Sequence, residues 1–282
     1  MLMGPDRLEV WGDPISHSLS PALHAAAYRR LGRGWCYGRR RVDEASFPRE
    51  LASLDASYRG LSLTMPLKGV AHAAAATRDD RAELTGAVNT LLLTGPERRG
   101  FNTDVGGIVR ALAEEGVTEA ERARIVGAGA TATSALVALA EMGARDVEVA
   151  ARRPEAVVPL VALGERLNVV VHAAPLAAGP FGPRDVTIAT LPGDAPLDPA
   201  VADALAGGEH AGGLLMDVVY GHWPTVLSSA WERAGLRAVS GAGMLLHQAV
   251  LQIRVFSTGD VHAPLPDEDD VLAEMRRALV GG

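Results

Sequence analysis

The chain has 282 residues, with 27 Lys plus Arg against 34 Asp plus Glu, a formal net charge of -7, 48% hydrophobic residues and one cysteine. That length can bury one large core or two smaller ones, and the acidic balance argues against nucleic acid as the main partner, since a basic footprint normally extends across a face. The lone Cys36 excludes an internal disulfide framework and fits a reducing compartment; no basic leader precedes an apolar run and no stretch approaches a membrane span, so a cytoplasmic protein is expected.

Residues 7–12 (RLEVWG) predict a short strand running into a Gly-Asp-Pro turn, and SPALHAAAYRRLG predicts a helix ending at Gly32. WCYGRRRV reads as a second strand, its arginines Arg39, Arg40 and Arg41 as a solvated edge, and FPRELASL as a helix. YRGLSLTMP follows as a buried strand stopped by proline. This alternation implies a parallel sheet with crossover helices. Beyond residues 102–104 (NTD), VGGIVRALAEEG predicts a helix, and ARIVGAGATATSALVALAEMGARDVEVAARR compresses strand, glycine turn, helix and strand into a βαβ unit. Further strands are expected at 169–173, 185–192, 214–220 and 236–241, enough for a second sheet. The closing helix GMLLHQAVLQIRVFSTG is expected to cross back to the first domain. The expectation is therefore an α/β protein of two domains: a mostly parallel substrate domain from 1–104 plus 243–282, and a Rossmann-type nucleotide domain from 105–242.

Chemistry concentrates at a few of these places. Lys68 is the single lysine among 26 arginines. A guanidinium keeps its proton at any accessible pH, whereas an ammonium can be tuned to release and recover one, so Lys68 can act where arginine cannot. IVGAGATATSA sets Gly127 and Gly129 after an apolar strand and at a helix start, a G-x-G-x-x-A pattern in which tight turning lets amides meet a pyrophosphate. At the end of the following strand stand Arg152 and Arg153 instead of the carboxylate that an NAD site offers its ribose, which favours NADP; Glu148 lies inside that strand. GDPISHSLSP places Ser18 and Ser20 before Pro21, suited either to capping a helix or to holding a carboxylate at its N-terminus. Of three asparagines, Asn89 and Asn102 fall in such motifs and Asn168 does not, while Asp80 reads as a charged loop residue.

Taken together, GDPISHSLSP, LTMPLK, GAVNT, NTD, GAGATA, the Arg152–Arg153 pair, DVVY and GAGMLLHQA occur in an order that resembles the shikimate dehydrogenase family over nearly the whole chain. The resemblance implies reversible NADP-dependent interconversion of 3-dehydroshikimate and shikimate in aromatic amino acid biosynthesis, with Lys68 and Asp104 as the acid-base pair. By position it implies a substrate carboxylate held by Ser18 and Ser20, ring hydroxyls bound by Thr64, Asn89, Asp104 and Gln248, and Tyr220 approaching from the second domain. Cofactor contacts are implied for Gly127, Ala128, Gly129, Ala130, Thr131, Arg152, Arg153, Thr190, Val218, Gly241 and Met244. No metal, nucleic acid or membrane is expected, and a homodimer is compatible with the chain.

The chain departs from the family pattern at Ala25 and Ser62, where asparagine is common, at residues 188–192 (IATLP), and at Gly221 and His222 after the tyrosine. An enzyme acting on quinate or an amino-substituted shikimate would share this skeleton. So would a non-catalytic sensor binding NADPH and a ring carboxylate. A methylenetetrahydrofolate dehydrogenase-like plan fits the paired serines and NTD poorly.

Overall fold

The computed structural model describes residues 6–177, 181–207 and 213–280. Contacts divide the chain into two compact units, one running up to Gly107 and resuming at Leu246, the other spanning Ile108–Leu245.

The first unit is built from β1 (Arg7–Gly12), α1 (Ser20–Arg30), β2 (Cys36–Arg41), α2 (Phe47–Ala52), β3 (Tyr58–Leu63), α3 (Lys68–Ala74), β4 (Thr77–Arg78), α4 (Asp80–Thr85), β5 (Thr90–Leu92), β6 (Arg99–Phe101) and the start of α5 (Thr103–Glu114). Its six strands run in the order β2-β1-β3-β5-β6-β4. β1 pairs in parallel with β2 and β3, while β5 pairs antiparallel to both β3 and β6. The apolar positions of these strands and helices meet in one core of Trp11, Val42, Phe47, Leu61, Leu63, Leu67, Val88 and Leu91.

The short strands β4, β5 and β6 escape a periodicity reading because two or three residues carry no alternation. Asp80 is not in a loop but opens α4, whose N-cap is Asp79, with its side chain accepting from the Ala82 N–H. β2 is indeed an edge, although Arg40 is only half exposed and ion-pairs with Glu9 and Glu50.

The second unit contains the rest of α5, then β7 (Arg122–Val126), α6 (Ala130–Glu141), β8 (Asp146–Ala151), a 3-10 turn at Pro154–Val157, α7 (Val158–Leu167), β9 (Val170–Pro175), β10 (Val186–Ala189), α8 (Pro199–Ala206), β11 (Leu214–Asp217), α9 (Val226–Arg233), β12 (Ala238–Ser240) and the start of α10 (Ala242–Thr258). All its strands are parallel, ordered β12-β11-β10-β7-β8-β9. The order reverses between β7 and β10, so the loops leaving these two strands flank the switch point where doubly wound sheets bind ligands. Asn168 has a local role after all: at φ 56 it ends α7 in the left-handed conformation that asparagine tolerates. α10 returns the chain to the first unit, where α11 (Glu268–Val280) closes it against α1. No helix among the described residues is long and apolar enough to cross a membrane.

Candidate active site

Lys68 opens α3 immediately after the loop that leaves β3, and its Nζ donates to Asp104 Oδ2 at 2.6 Å. The two side chains are only 13% and 7% exposed, so the pair is shielded from the screening that weakens surface ion pairs. Asp104 stands in the first turn of α5, where the helix dipole favours a carboxylate. Asn102 caps that turn, its Oδ1 accepting from the Asp104 and Val105 N–H groups, while its Nδ2 donates to Thr85 Oγ1 and the Ala87 carbonyl. The NTD motif thus combines a helix cap with the carboxylate that the cap displays.

Asn89, just ahead of β5, holds the other carboxylate oxygen: its Nδ2 donates to Asp104 Oδ1 at 2.9 Å and to Thr103 Oγ1 at 2.9 Å. Its Oδ1 accepts from the Thr103 N–H and from Thr90 Oγ1. The resemblance assigns Asn89 to a ring hydroxyl; in this structure its two amide protons go to Asp104 and Thr103. What they do here is aim Asp104. Thr103 and Thr90, which sequence reasoning passed over, complete this lattice.

Ser18 and Ser20 flank the start of α1. The N-cap position is taken by Leu19, whose side chain makes no cap bond, and Ser18 Oγ accepts from the N–H of Ser20, the first residue of the helix, at 3.3 Å. Ser18 is half-buried and Ser20 buried. Thr64 is half-buried in the loop between β3 and Lys68, and Gln248 is buried on α10 within the same unit. The same unit holds a second polar group, of which the sequence reading singled out only Ser62: His24, Tyr37, Ser62 and Gln252. The one available signal was Gln252 standing four residues after Gln248, hence on the same helical face.

In the second unit the loop after β7 turns at Gly127, whose φ of +109 is a conformation L side chains rarely adopt. A Cβ there would also lie 2.6 Å from Thr190 Oγ1. Thr190, at the end of β10, donates through both its N–H and its hydroxyl to the Val126 carbonyl, tying together the two loops at the switch point. Gly129 is the N-cap of α6, with Ala130 and Thr131 forming its first turn and Ala128 half-buried before it. No side chain caps this helix and its first turn has no acidic residue, leaving free N–H groups and open space beside Gly129, which fits a pyrophosphate. Arg152 and Arg153 are exposed directly after β8.

Glu148 lies inside β8 rather than at its end, and its charge is paired with Arg124 Nε at 2.6 Å and Arg184 Nη2 at 3.4 Å. Val218 and the exposed Tyr220 follow β11, Gly241 backs onto the Val218 main chain with no room for a side chain, and Met244 is buried in the first turns of α10. Burial pushes the Asp217 carboxyl up, against hydrogen bonds from Thr225 and the Val219 N–H that favour its charged form.

Comparison with known proteins bears on both units. The family described as "Shikimate dehydrogenase substrate binding domain" matches residues 10–91. A shikimate dehydrogenase (NADP(+)) from Methanothermobacter thermautotrophicus is 34% identical over 277 residues, covering 93% of this chain and 94% of that protein. The chain belongs to the shikimate dehydrogenase family. The crystal structure of the family's Mycobacterium tuberculosis shikimate dehydrogenase superposes with a TM-score of 0.83 at 36% identity, covering 99% of this chain and 100% of that one. A Thermus thermophilus shikimate 5-dehydrogenase, solved in complex with NADP(H) and shikimate, gives a TM-score of 0.78 at 31% identity over 96% and 99% of the two chains. The matched substrate-binding domain contains Ser18, Ser20, Thr64, Lys68 and Asn89; Asp104 and Gln248 lie beyond it.

Proposed function

We infer that the protein is an NADP-dependent shikimate dehydrogenase, reducing 3-dehydroshikimate reversibly to shikimate in the cytoplasmic pathway to aromatic amino acids. The observation that carries this reading is the shielded Lys68–Asp104 pair at 2.6 Å in a chain of this family. The first unit is the substrate domain and the second the cofactor domain. NADPH, when bound, supplies the hydride. Lys68 then holds its ammonium at the oxygen where charge develops and gives it a proton; in the oxidative direction the neutral amine takes that proton back. Asp104, clamped by Asn89 on one oxygen, fixes Lys68 Nζ with the other and presents its remaining lone pairs to a ring hydroxyl.

We assign the substrate carboxylate to Ser18 and Ser20, the ring hydroxyls to Thr64, Asn89 and Gln248, and a further substrate contact to Tyr220. The turn at Gly127, Ala128 and Gly129 and the first residues of α6 take the pyrophosphate, Arg152 and Arg153 the 2′-phosphate, and Thr190, Val218, Gly241 and Met244 the remaining cofactor surface. The engagement of Glu148 by two arginines supports NADP over NAD, because no carboxylate is left to repel the 2′-phosphate. The single cysteine is in keeping with a reducing compartment.

The deciding assay follows nicotinamide absorbance with shikimate or quinate, each with NADP or NAD. Turnover confined to shikimate with NADP is expected. Preference for quinate or NAD moves the protein to a specialised relative, and binding of both ligands without turnover makes it a sensor. Sedimentation of the same preparation distinguishes a monomer from a homodimer.

A further inference from the structure

Gln252 lies one turn beyond Gln248 on α10 and is 2% exposed. Its Nε2 donates to the Asn89 carbonyl at 3.1 Å, and its Oε1 accepts from Ser62 Oγ at 2.7 Å and faces His24 Nε2 at 3.3 Å. These contacts dictate their own polarity. A carbonyl only accepts, so the amide has a single orientation. An amide oxygen only accepts, so His24 carries its proton on Nε2 and takes the Tyr28 hydroxyl proton on Nδ1 at 2.9 Å. Ser62 commits its one proton to Gln252, which leaves its oxygen to accept from the Tyr37 hydroxyl at 2.6 Å. One amide therefore orders groups from α1, β2, β3 and the approach to β5.

The consequence runs toward the catalytic pair. The Asn89 main chain is held by Gln252 and the Leu63 N–H at its carbonyl and by the Phe101 carbonyl at its N–H. A residue so fixed has little freedom left except in its side chain, and that side chain holds Asp104. Resting on the function proposed above, we infer that Gln252 is a positioning residue of this active site: by anchoring the Asn89 backbone it aims the Asn89 amide at Asp104 and so sets the direction in which Asp104 meets Lys68. Ser62, where asparagine is common in the family, belongs to the same device as the hydroxyl that fills the second position on Gln252 Oε1.

The test uses Gln252→Glu and Gln252→Met in the full chain. A protonated glutamic acid is isosteric with glutamine, accepting from Ser62 on one oxygen and donating to the Asn89 carbonyl from the other. Once ionised it has no donor and sets a charge against that carbonyl. Burial raises a glutamic acid into the assay range. In the unsubstituted protein the titratable groups beside Gln252 are neutral in that range, because burial lowers His24 to about 3 and raises Tyr28 and Tyr37.

Relative to the unsubstituted protein, kcat/KM of Gln252→Glu is expected near parity at about pH 6 and down roughly tenfold or more by about pH 9. Gln252→Met is expected to lose roughly tenfold or more in kcat at every pH, with shikimate KM changed less than kcat. A merely structural glutamine lowers the thermal midpoint but leaves the kinetic ratio flat with pH, and that result overturns the inference while the proposed function stands. If Gln252→Met does not fold, the Glu variant alone decides by the same profile. An unsubstituted chain with no shikimate turnover overturns the function itself and this inference with it.

Discussion

The two units build their sites by opposite means. In the first, the proposed site rests on side chains locked in place: Asn89, Thr103, Asp104 and Lys68 hold one another and Gln252 holds the Asn89 main chain, by hydrogen bonds near 3 Å or shorter, and most are buried. In the second it rests mainly on main chain, a glycine turn at positive φ and an uncapped helix end, with two exposed arginine side chains beside them. Polar groups removed from water tolerate no loss of a partner, whereas backbone amides keep their donors whatever the side chain. Substitutions in the first unit should therefore act through chemistry and protonation, and those in the second through geometry and cofactor affinity.

The largest expected effect is at Lys68. Lys68→Ala should lower kcat by about 10²–10⁴-fold while calorimetric binding of NADP persists, and Lys68→Arg should not restore turnover because a guanidinium keeps its proton. Loss of NADP binding in step with kcat would erase the contrast between the units.

His24 gives the first unit a loss of stability in acid. Burial lowers this imidazole from 6.5 to about 3, with the hydrogen bond to Gln252 opposing the shift. The unfolded chain takes up the proton more readily, so stability is complete above about pH 6.5 and is lost as pH falls toward about 3. Between pH 7 and about pH 4.5 the cost is about 2–3 kcal/mol by linkage, to be read from urea midpoints. His24→Gln should flatten that slope, with acid-promoted amide exchange appearing first in the sheet of β1–β6. An unchanged slope would show that carboxylates dominate instead.

Legibility from sequence follows the same division. The βαβ unit around Gly127 is readable because strand, glycine turn and helix are contiguous in the chain, and Lys68 stands out by rarity. The serines before Pro21 carry two meanings in sequence, and only the backbone shows Leu19 in the capping position. The short strands β4–β6 hide because they exist by pairing with neighbours rather than by local pattern. Gln252 hides for a related reason: its partners lie 163 to 228 residues away along the chain, and no spacing rule reaches that far.

Gly127→Ala tests the second unit's reliance on backbone. The strained φ and the contact with Thr190 together should cost about 1–3 kcal/mol in thermal stability. They should also raise the NADP KM while leaving the shikimate KM unaltered. An equal rise in both would mean that the turn supports more than the cofactor.

The smallest effect concerns Arg152 and Arg153. Both are exposed, so their attraction for a 2′-phosphate is screened by water and salt, and replacing the pair with alanine should raise the NADP KM about tenfold at low ionic strength and less at high. NAD lacks that phosphate, so its KM should hardly move. The ratio of the two constants isolates the charge interaction from any disturbance of the loop. A parallel rise for both cofactors would mean that the arginines shape the loop after β8 instead of reading the phosphate, and cofactor selection in this chain would then rest on the absence of a free carboxylate at Glu148.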